Sequence, residues 1–367
     1  MLKYWRGYLI AAVLFACNFA LVGFCKGHVQ LVDMFYPYVD RIVMDYLANW
    51  SAAFPGCLWQ MGVIFLAVLL LGSAVLMIVL RWNPIQWFGW VLTAASILVL
   101  LNTGIYGLNA YSGPIAEDVR LSVTEYSAGS LERAATYYGQ MATEYSKKVK
   151  RSGGQVDFSD FDTLAQQAAE GYTVLTYERG IPIFSGATVP VKKLGWLGRF
   201  DGKTGLTVGM TGESAVNPNV PEAGLPFAIC HEMNHRMCIY NDSDASFGAF
   251  LACTANSSDE FIYSGYLMAF RACYNALAGI DSSLGRESLN RVMTHVGDDV
   301  MKDMAQYNAF FGEDAQQVDE QLTNLLVSWH IQEIAQYGED EEEDVFDPMD
   351  ETDERFQDIL NPSKTGG

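Results

Sequence analysis

Three stretches of the chain, 8–25, 57–80 and 85–106, are apolar throughout and carry no formal charge. Each is roughly 18 to 24 residues long, enough helix to cross a hydrocarbon core of about 30 Å. Aromatic residues suited to the membrane interface flank them: Tyr4, Trp5 and Tyr8 at the first, and Trp82, Trp87 and Trp90 around the turn between the second and third. The pattern predicts three transmembrane helices. The first follows Lys3 and Arg6 but ends without a small-x-small cleavage site, so an uncleaved anchor fits better than a signal peptide. Phe15, two residues before Cys17, makes a poor lipoprotein signal. Between the first two spans, Leu31, Met34, Val39, Ile42, Val43 and Leu47 recur at near-helical spacing. This fits a helix lying along the membrane interface or an ordinary connecting helix interrupted near Pro37.

Past residue 106 the apolar positions become periodic. A mostly helical pattern over 117–148 gives way to Lys147-Lys148-Val149-Lys150-Arg151-Ser152-Gly153-Gly154, which reads as an exposed linker. A second helix is expected over 160–170, with Ser159 as its N-cap and Gly171 ending it. Between 173 and 219 short β-type runs at 173–177, 189–194 and 206–210, separated by Gly and Pro, predict a small sheet. From Pro226 the pattern is helical again, with runs over 245–255 and 259–277, the latter behind Ser257 and Ser258, and further helices to about residue 337. The expected architecture is a membrane domain (1–110), an α+β, mostly helical soluble domain (111–338) and an acidic, disordered tail (339–367).

Charge narrows the partners. The formal net charge of -20 argues against nucleic acid, which favours a basic surface, and about half of it lies in the tail. Lys3, Arg6 and Arg81 fall on one side of the spans, and Lys26 and Arg41 on the other, a slight bias that places the N-terminus inside and the soluble domain outside the cell. Cys230, Cys238, Cys253 and Cys273 could pair in an oxidising compartment or stay as buried thiols, and no CxxC pair suggests a zinc knuckle.

The chemistry concentrates in Pro226-Phe227-Ala228-Ile229-Cys230-His231-Glu232-Met233-Asn234-His235. Proline suits a first helical turn, and a spacing of four puts His231 and His235 on one face, where both imidazoles can reach one zinc ion at about 2.0 to 2.1 Å. Glu232 then stands beside the metal, placed to take a proton from an activated water. A catalytic site needs a third protein ligand. Asp242 and Asp244, just after the helix, are candidates, although either could instead cap the next helix.

The stretch from Val189 to Tyr266 carries further motifs in a telling order. Pro190-Val191-Lys192 is followed by Thr211-Gly212-Glu213, the HEMNH segment, DSDASF at 242–247 and Tyr263-Ser264-Gly265-Tyr266. This resembles a bacterial family of uncharacterised membrane proteins with an HExxH gluzincin-like zinc peptidase signature, in which a Pro-x-Lys strand, Thr-Gly-Glu, HExxH, ExEANF and YSGY follow one another. The resemblance covers the three spans and the soluble domain, and it leaves out the tail. It implies a zincin-like domain with His231 and His235 as zinc ligands, Glu232 as base, Asp242 as third ligand at the first acidic position of ExEANF, and Asp244 at the second. The chain departs from the pattern in having aspartates for both glutamates, Ser246 for the asparagine, and Cys238 where the family has glycine.

Together these readings describe a membrane-anchored zinc peptidase that hydrolyses peptide bonds of a peptide or protein substrate, with the lipid bilayer as its other partner. Tyr263 and Tyr266 head the candidates for stabilising the oxyanion, followed by Arg236, His295 and His330. The strand at 206–210 could present an edge to an extended peptide or be an ordinary core strand. The competing readings are a zinc-binding sensor or interaction protein with a degenerate site, and a structural membrane protein whose HExxH is accidental.

Overall fold

The computed structural model describes residues 2–186, 189–196, 203–280, 283–312 and 316–337. The acidic tail, 339–367, lies outside the described residues.

Helices α1 (Leu2–Gly27), α2 (Val29–Ala52), α3 (Leu58–Val79) and α4 (Pro84–Ile105) form the N-terminal part. Three of them, α1, α3 and α4, are long and apolar enough to cross a membrane. Helices α1 and α4 cross at paired glycines: a Cβ on Gly7 would lie 2.5 Å from the Gly89 carbonyl carbon. Thr93 uses this closeness, donating from Oγ1 to the Gly7 carbonyl at 2.8 Å. Small residues and a hydroxyl bridge are what allow helix backbones to approach this closely in lipid. Phe65, Leu69, Val75 and Ile78 on α3 are exposed, the surface a lipid-facing helix needs.

Helix α2 is continuous through Pro37, so of the two readings of this segment the interrupted connecting helix does not hold. It touches both α1 and the C-terminal part of the chain, at α8 and β5. Val32, Asp40, Met44, Ala48 and Ser51 form its buried face, while Met34, Phe35, Ile42 and Tyr46 on other faces are exposed. Gly212, at φ +64, lets a turn of the domain rest on that helix: a Cβ there would come within 2.6 Å of the Ala48 nitrogen. Only glycine combines that backbone with that closeness at no cost.

The part that follows begins with α5 (Ile115–Asp118) and α6 (Ala128–Ser146), the latter started by a capping box between Ser127 and Ser130. The expected linker at 147–154 is instead a hairpin of β1 (Arg151–Ser152) and β2 (Gln155–Val156). Arg151 explains why: it reaches Asp303 at 2.7 Å and the Tyr263 hydroxyl at 3.3 Å. Helix α7 (Phe161–Thr173) is capped by Asp160 rather than Ser159 and runs through Gly171. That glycine makes room for a neighbour, since its Cβ would lie 1.9 Å from the Ala252 carbonyl oxygen. The run 173–177, expected as a strand, continues as a π-helical turn over Val174–Glu178.

The sheet comprises β3 (Lys192–Lys193), β4 (Gly205–Val208) and β5 (Glu213–Val216), in the order β3-β5-β4. β5 pairs parallel to β3 and antiparallel to β4, with Leu206 opposite Ala215. Sequence reasoning missed this central strand because Glu-Ser-Ala-Val lacks alternation, yet all of it is buried. Its polar groups are satisfied: Glu213 accepts from Lys192 and from the Leu58 and Trp59 N–H groups at the start of α3.

Helices α8 (Leu225–Arg236), α9 (Asp242–Thr254), α10 (Asp259–Ala278), α11 (Ser283–Met293), α12 (Asp298–Phe311) and α13 (Glu320–Tyr337) complete the chain. They close with α6 and α7 around one apolar core that includes Leu131, Tyr138, Leu164, Tyr172, Phe247 and Phe270. Cys230, Cys238, Cys253 and Cys273 are buried free thiols within the domain.

Candidate metal centre

Helix α8 starts with Pro226 in its first turn and buries nearly every residue. Met237 is its C-cap, after which Cys238 takes the left-handed conformation at φ +71. The Cys238 N–H donates to the His235 carbonyl at 3.0 Å and the Ile239 N–H to the Asn234 carbonyl at 3.1 Å. These two bonds form a Schellman turn, whose left-handed position ordinarily takes glycine. Here the side chain that replaces it points its Sγ at Asp40, 3.4 Å away.

The turn places two ligand-supporting groups. It returns the Ile239 carbonyl to His235 Nδ1, 2.9 Å away, and it starts α9 beside the end of α8. Asn241 caps α9, accepting from the Ser243 N–H at 2.8 Å and the Asp244 N–H at 3.2 Å. Neither aspartate is spent as the cap. Asp242 Oδ1 lies 3.2 Å from His235 Nε2, and His231 Nε2 lies 3.1 Å from the same nitrogen. Ligand atoms of His231, His235 and Asp242 all fall within 4.8 Å of one another.

Asp244 points elsewhere. Its carboxylate accepts from the Ile115 N–H at 3.3 Å and from Gln321 Nε2 at 3.0 Å, tying α9 to α5 and α13. Burial raises its pKa. Ser246 sets its hydroxyl 3.1 Å from His231 Nδ1.

These spacings suit a tetrahedral ion. Ligands about 2.0 to 2.1 Å from zinc stand about 3.3 Å apart. When His235 gives its Nδ1 proton to the Ile239 carbonyl, Nε2 presents a lone pair toward Asp242, an opposition relieved only by a proton or a cation between them. Burial, and then His235, push His231 down to a pKa of about 3, so it is neutral as a ligand must be. At His235 burial acts against a charge, but the Asp242 hydrogen bond and the Glu232 charge outweigh it and raise the pKa. Asp242 is lowered, first by that same hydrogen bond. Two imidazoles and one carboxylate, with the carboxylate 89 % exposed at the rim, leave a fourth position open to solvent.

Glu232 faces the sheet side of the cluster. Thr207 Oγ1 on β4 lies 2.9 Å from Glu232 Oε2, and Ser214 Oγ on β5 donates to the Glu232 carbonyl at 2.8 Å. Gly205 leaves space for this carboxylate, since a Cβ there would meet Glu232 Cγ at 2.7 Å. Burial raises Glu232 to about 7, against the opposing effects of His235 and Thr207.

The cluster opens into a cavity of about 430 Å³ whose walls include Lys203, Thr204, Leu206, Tyr106 and Tyr240. Among the described residues the backbone of β4 pairs with β5 alone, at one end of the sheet, and Gly205, Leu206 and Thr207 line this space. Tyr106 directly follows α4, and its ring lies 5.5 Å from that of Tyr240. Sequence reasoning missed both tyrosines. Tyr240 carried a signal, standing between His235 and Asp242; Tyr106 carried none, because its place depends on how α4 meets the domain.

The residues expected to hold an oxyanion are occupied in other places. Tyr263 donates to Asp303 at 2.5 Å within the Arg151 cluster. Tyr266 packs among Tyr137, Tyr138 and Tyr145. Arg236 donates to the Val189 carbonyl, His295 lies by Gln140, and His330 stacks on Tyr137 at 4.6 Å. None of these five lines the cavity over the histidines.

No curated protein and no solved structure matches the chain. The family described as Protein of unknown function (DUF3810) matches residues 32–333, from within α2 to near the end of α13, with α1 outside the match, and the chain belongs to that family.

Proposed function

We propose that this protein is a membrane-anchored zinc peptidase with a zincin-like catalytic domain. The observation that carries the reading is the convergence of His231, His235 and Asp242 on one point with Glu232 beside it. His231, His235 and Asp242 would hold a zinc ion, which would supply Lewis-acid chemistry toward a peptide carbonyl and a water molecule.

The chain's own groups do the rest. Glu232, oriented by Thr207, takes the proton of the attacking water and returns it to the leaving amine. Tyr240 and Tyr106, in the cavity wall, replace Tyr263 and Tyr266 as donors to the developing oxyanion. The outer edge of β4 pairs with an extended peptide and sets the scissile bond over the cluster. In this reading α1, α3 and α4 cross the bilayer, and the slight charge bias supports an N-terminus inside and a catalytic domain on the outer face of the cell membrane. Tyr106 then keeps the cavity close to the bilayer surface.

The test is cleavage of a peptide library by the full-length protein and by Glu232→Gln. Cleavage by the wild type that falls by about a hundredfold or more in the variant is expected. Equal residual activity in both would assign it to a contaminant and contradict the reading.

A further inference from the structure

Helices α1, α3 and α4 fix where the two ends of α2 lie. The first turns of α1 and α4 meet at Gly7 and Gly89, while Cys25 near the end of α1 clusters with Leu108 just past α4, so these two helices run parallel. Helix α3 runs the opposite way. Only residues 80–83 separate it from α4, and Trp87 Nε1 donates to Ser73 Oγ at 3.2 Å across that turn. The end of α1, the start of α3 and the end of α4 therefore share one side. The turn between β4 and β5 shows the same grouping: a Cβ on Gly209 would meet Tyr106 just past α4, and one on Gly212 would meet the Ala48 backbone of α2. Glu213, the next residue, holds the Leu58 N–H at the start of α3. Helix α2 joins the end of α1 to the start of α3, so it begins and ends on the same side of any bilayer that the other three cross.

Its surface is inverted relative to a helix in water. Asp33, Asp40, Arg41 and Asp45 are its charged residues, and none is exposed. Asp33 accepts from the Gly113 N–H at 2.6 Å, Asp40 accepts from Asn109, and Arg41 donates to the Met237 carbonyl at 3.4 Å. The residues that α2 does expose are uncharged without exception. Leu31, Phe35, Tyr38, Ile42, Tyr46 and Trp50 are all exposed and follow one another at intervals of three or four, which places them on one face. Ile42 is 73 % and Tyr46 72 % exposed. A helix facing water carries its charges there. An apolar face running the length of a 24-residue helix marks a surface that something covers.

The chain connections say what covers it. Only His28 separates α2 from α1, and residues 53–57 separate it from α3, so both of its ends are held where those helices leave the lipid. Tyr38, Tyr46 and Trp50 are of the types enriched at headgroup level. The polar side that an interfacial helix ordinarily turns to water is here packed on the protein.

We propose that the exposed face of α2 lies in the headgroup region of the bilayer and seats the C-terminal domain against the membrane. The proposal rests on the reading of α1, α3 and α4 as spans. Through Arg41 and the Met237 carbonyl at the end of α8, the same helix sets the position of the histidine cluster relative to lipid.

The test measures the depth of spin labels on the full-length protein in phosphatidylcholine nanodiscs. Cys17→Ser removes the exposed thiol and leaves the buried ones. Labels are then placed singly at Phe35→Cys, Ile42→Cys and Tyr46→Cys on α2 and at Leu69→Cys, midway along α3. Relaxation by oxygen, which enters lipid, against relaxation by a water-soluble nickel chelate gives each depth. The α2 labels should lie about 5 to 10 Å into the headgroup and acyl boundary, and Leu69 near the bilayer centre, about 15 Å deep. Labels on α2 as open to the chelate as in water would overturn the proposal. So would labels as deep as Leu69, which would make α2 a fourth span, or labels shielded from both reagents, which would put a second protein on the face. A Leu69 label in water would overturn the proposal together with the spans on which it rests.

Discussion

Lys192 Nζ lies 2.6 Å from Glu213 Oε1, and the same glutamate carboxylate accepts the N–H groups of Leu58 and Trp59 at 2.7 and 2.8 Å. The ammonium also donates to the carbonyls of Ser51, Phe54 and Gly56, which lead from α2 into α3. One ion pair therefore joins two strands of the sheet to the N-terminus of α3, a helix long and apolar enough to cross a membrane, where a negative charge is favoured by the helix dipole. The Pro-x-Lys and Thr-Gly-Glu segments thus act as a joint between the sheet and the start of α3.

Removing one partner of this pair leaves a buried charge unpaired. Glu213→Ala should cost roughly 3 to 5 kcal/mol and Lys192→Met a similar amount, with the double variant losing much less than their sum. Protease resistance and thermal midpoints in detergent would measure this. Additive losses would show that the two side chains do not act as a pair.

Gly205 is where β4 and Glu232 come closest, and a methyl group there meets the Ala215 carbonyl at 2.6 Å as well as the glutamate. Gly205→Ala should displace the carboxylate and lower kcat by roughly 10- to 100-fold while zinc content stays at the wild-type level. Loss of metal with activity would indicate instead that the whole site had collapsed.

His330 is buried against Tyr137, and burial, aided by Arg133, lowers its pKa to about 4 from an ordinary value of 6.5. Between those values the unfolded chain holds a proton that the folded chain does not. Stability contributed by the neutral ring is therefore present above pH 6.5 and is lost as pH falls toward 4, by up to about 3 kcal/mol. His330→Phe should flatten the fall in unfolding midpoint between pH 7 and pH 4.5. An unchanged slope would remove His330 as its source.

Much of this architecture was legible in the chain, for identifiable reasons. The spans and α8 to α10 follow from uninterrupted apolar runs and helical spacing, which survive any tertiary context. The pairing of His231 with His235 follows from one turn of helix. Asp242 and Asp244 could not be separated by spacing, because the choice depends on the left-handed turn at Cys238 and on Asn241 taking the cap. Tyr263 and Tyr266 share a helix near the site in sequence, but the face they occupy is committed to Arg151, Asp303 and the tyrosines of α6. β5 was invisible because its stability comes from partners on α3 and α8 rather than from its own pattern. Arg151 likewise draws a basic, glycine-containing run into a hairpin through a residue 152 positions away.

The central claim is that His231, His235 and Asp242 hold one metal ion, and metal content tests it most directly. Zinc per chain should be measured in the purified full-length protein after zinc supplementation, alongside His235→Ala, Asp242→Ala and Asp244→Ala. About one zinc per wild-type chain is expected, with loss in His235→Ala, marked weakening in Asp242→Ala and retention in Asp244→Ala. A wild type without bound metal, or an Asp244→Ala protein that loses zinc while Asp242→Ala keeps it, would contradict the account.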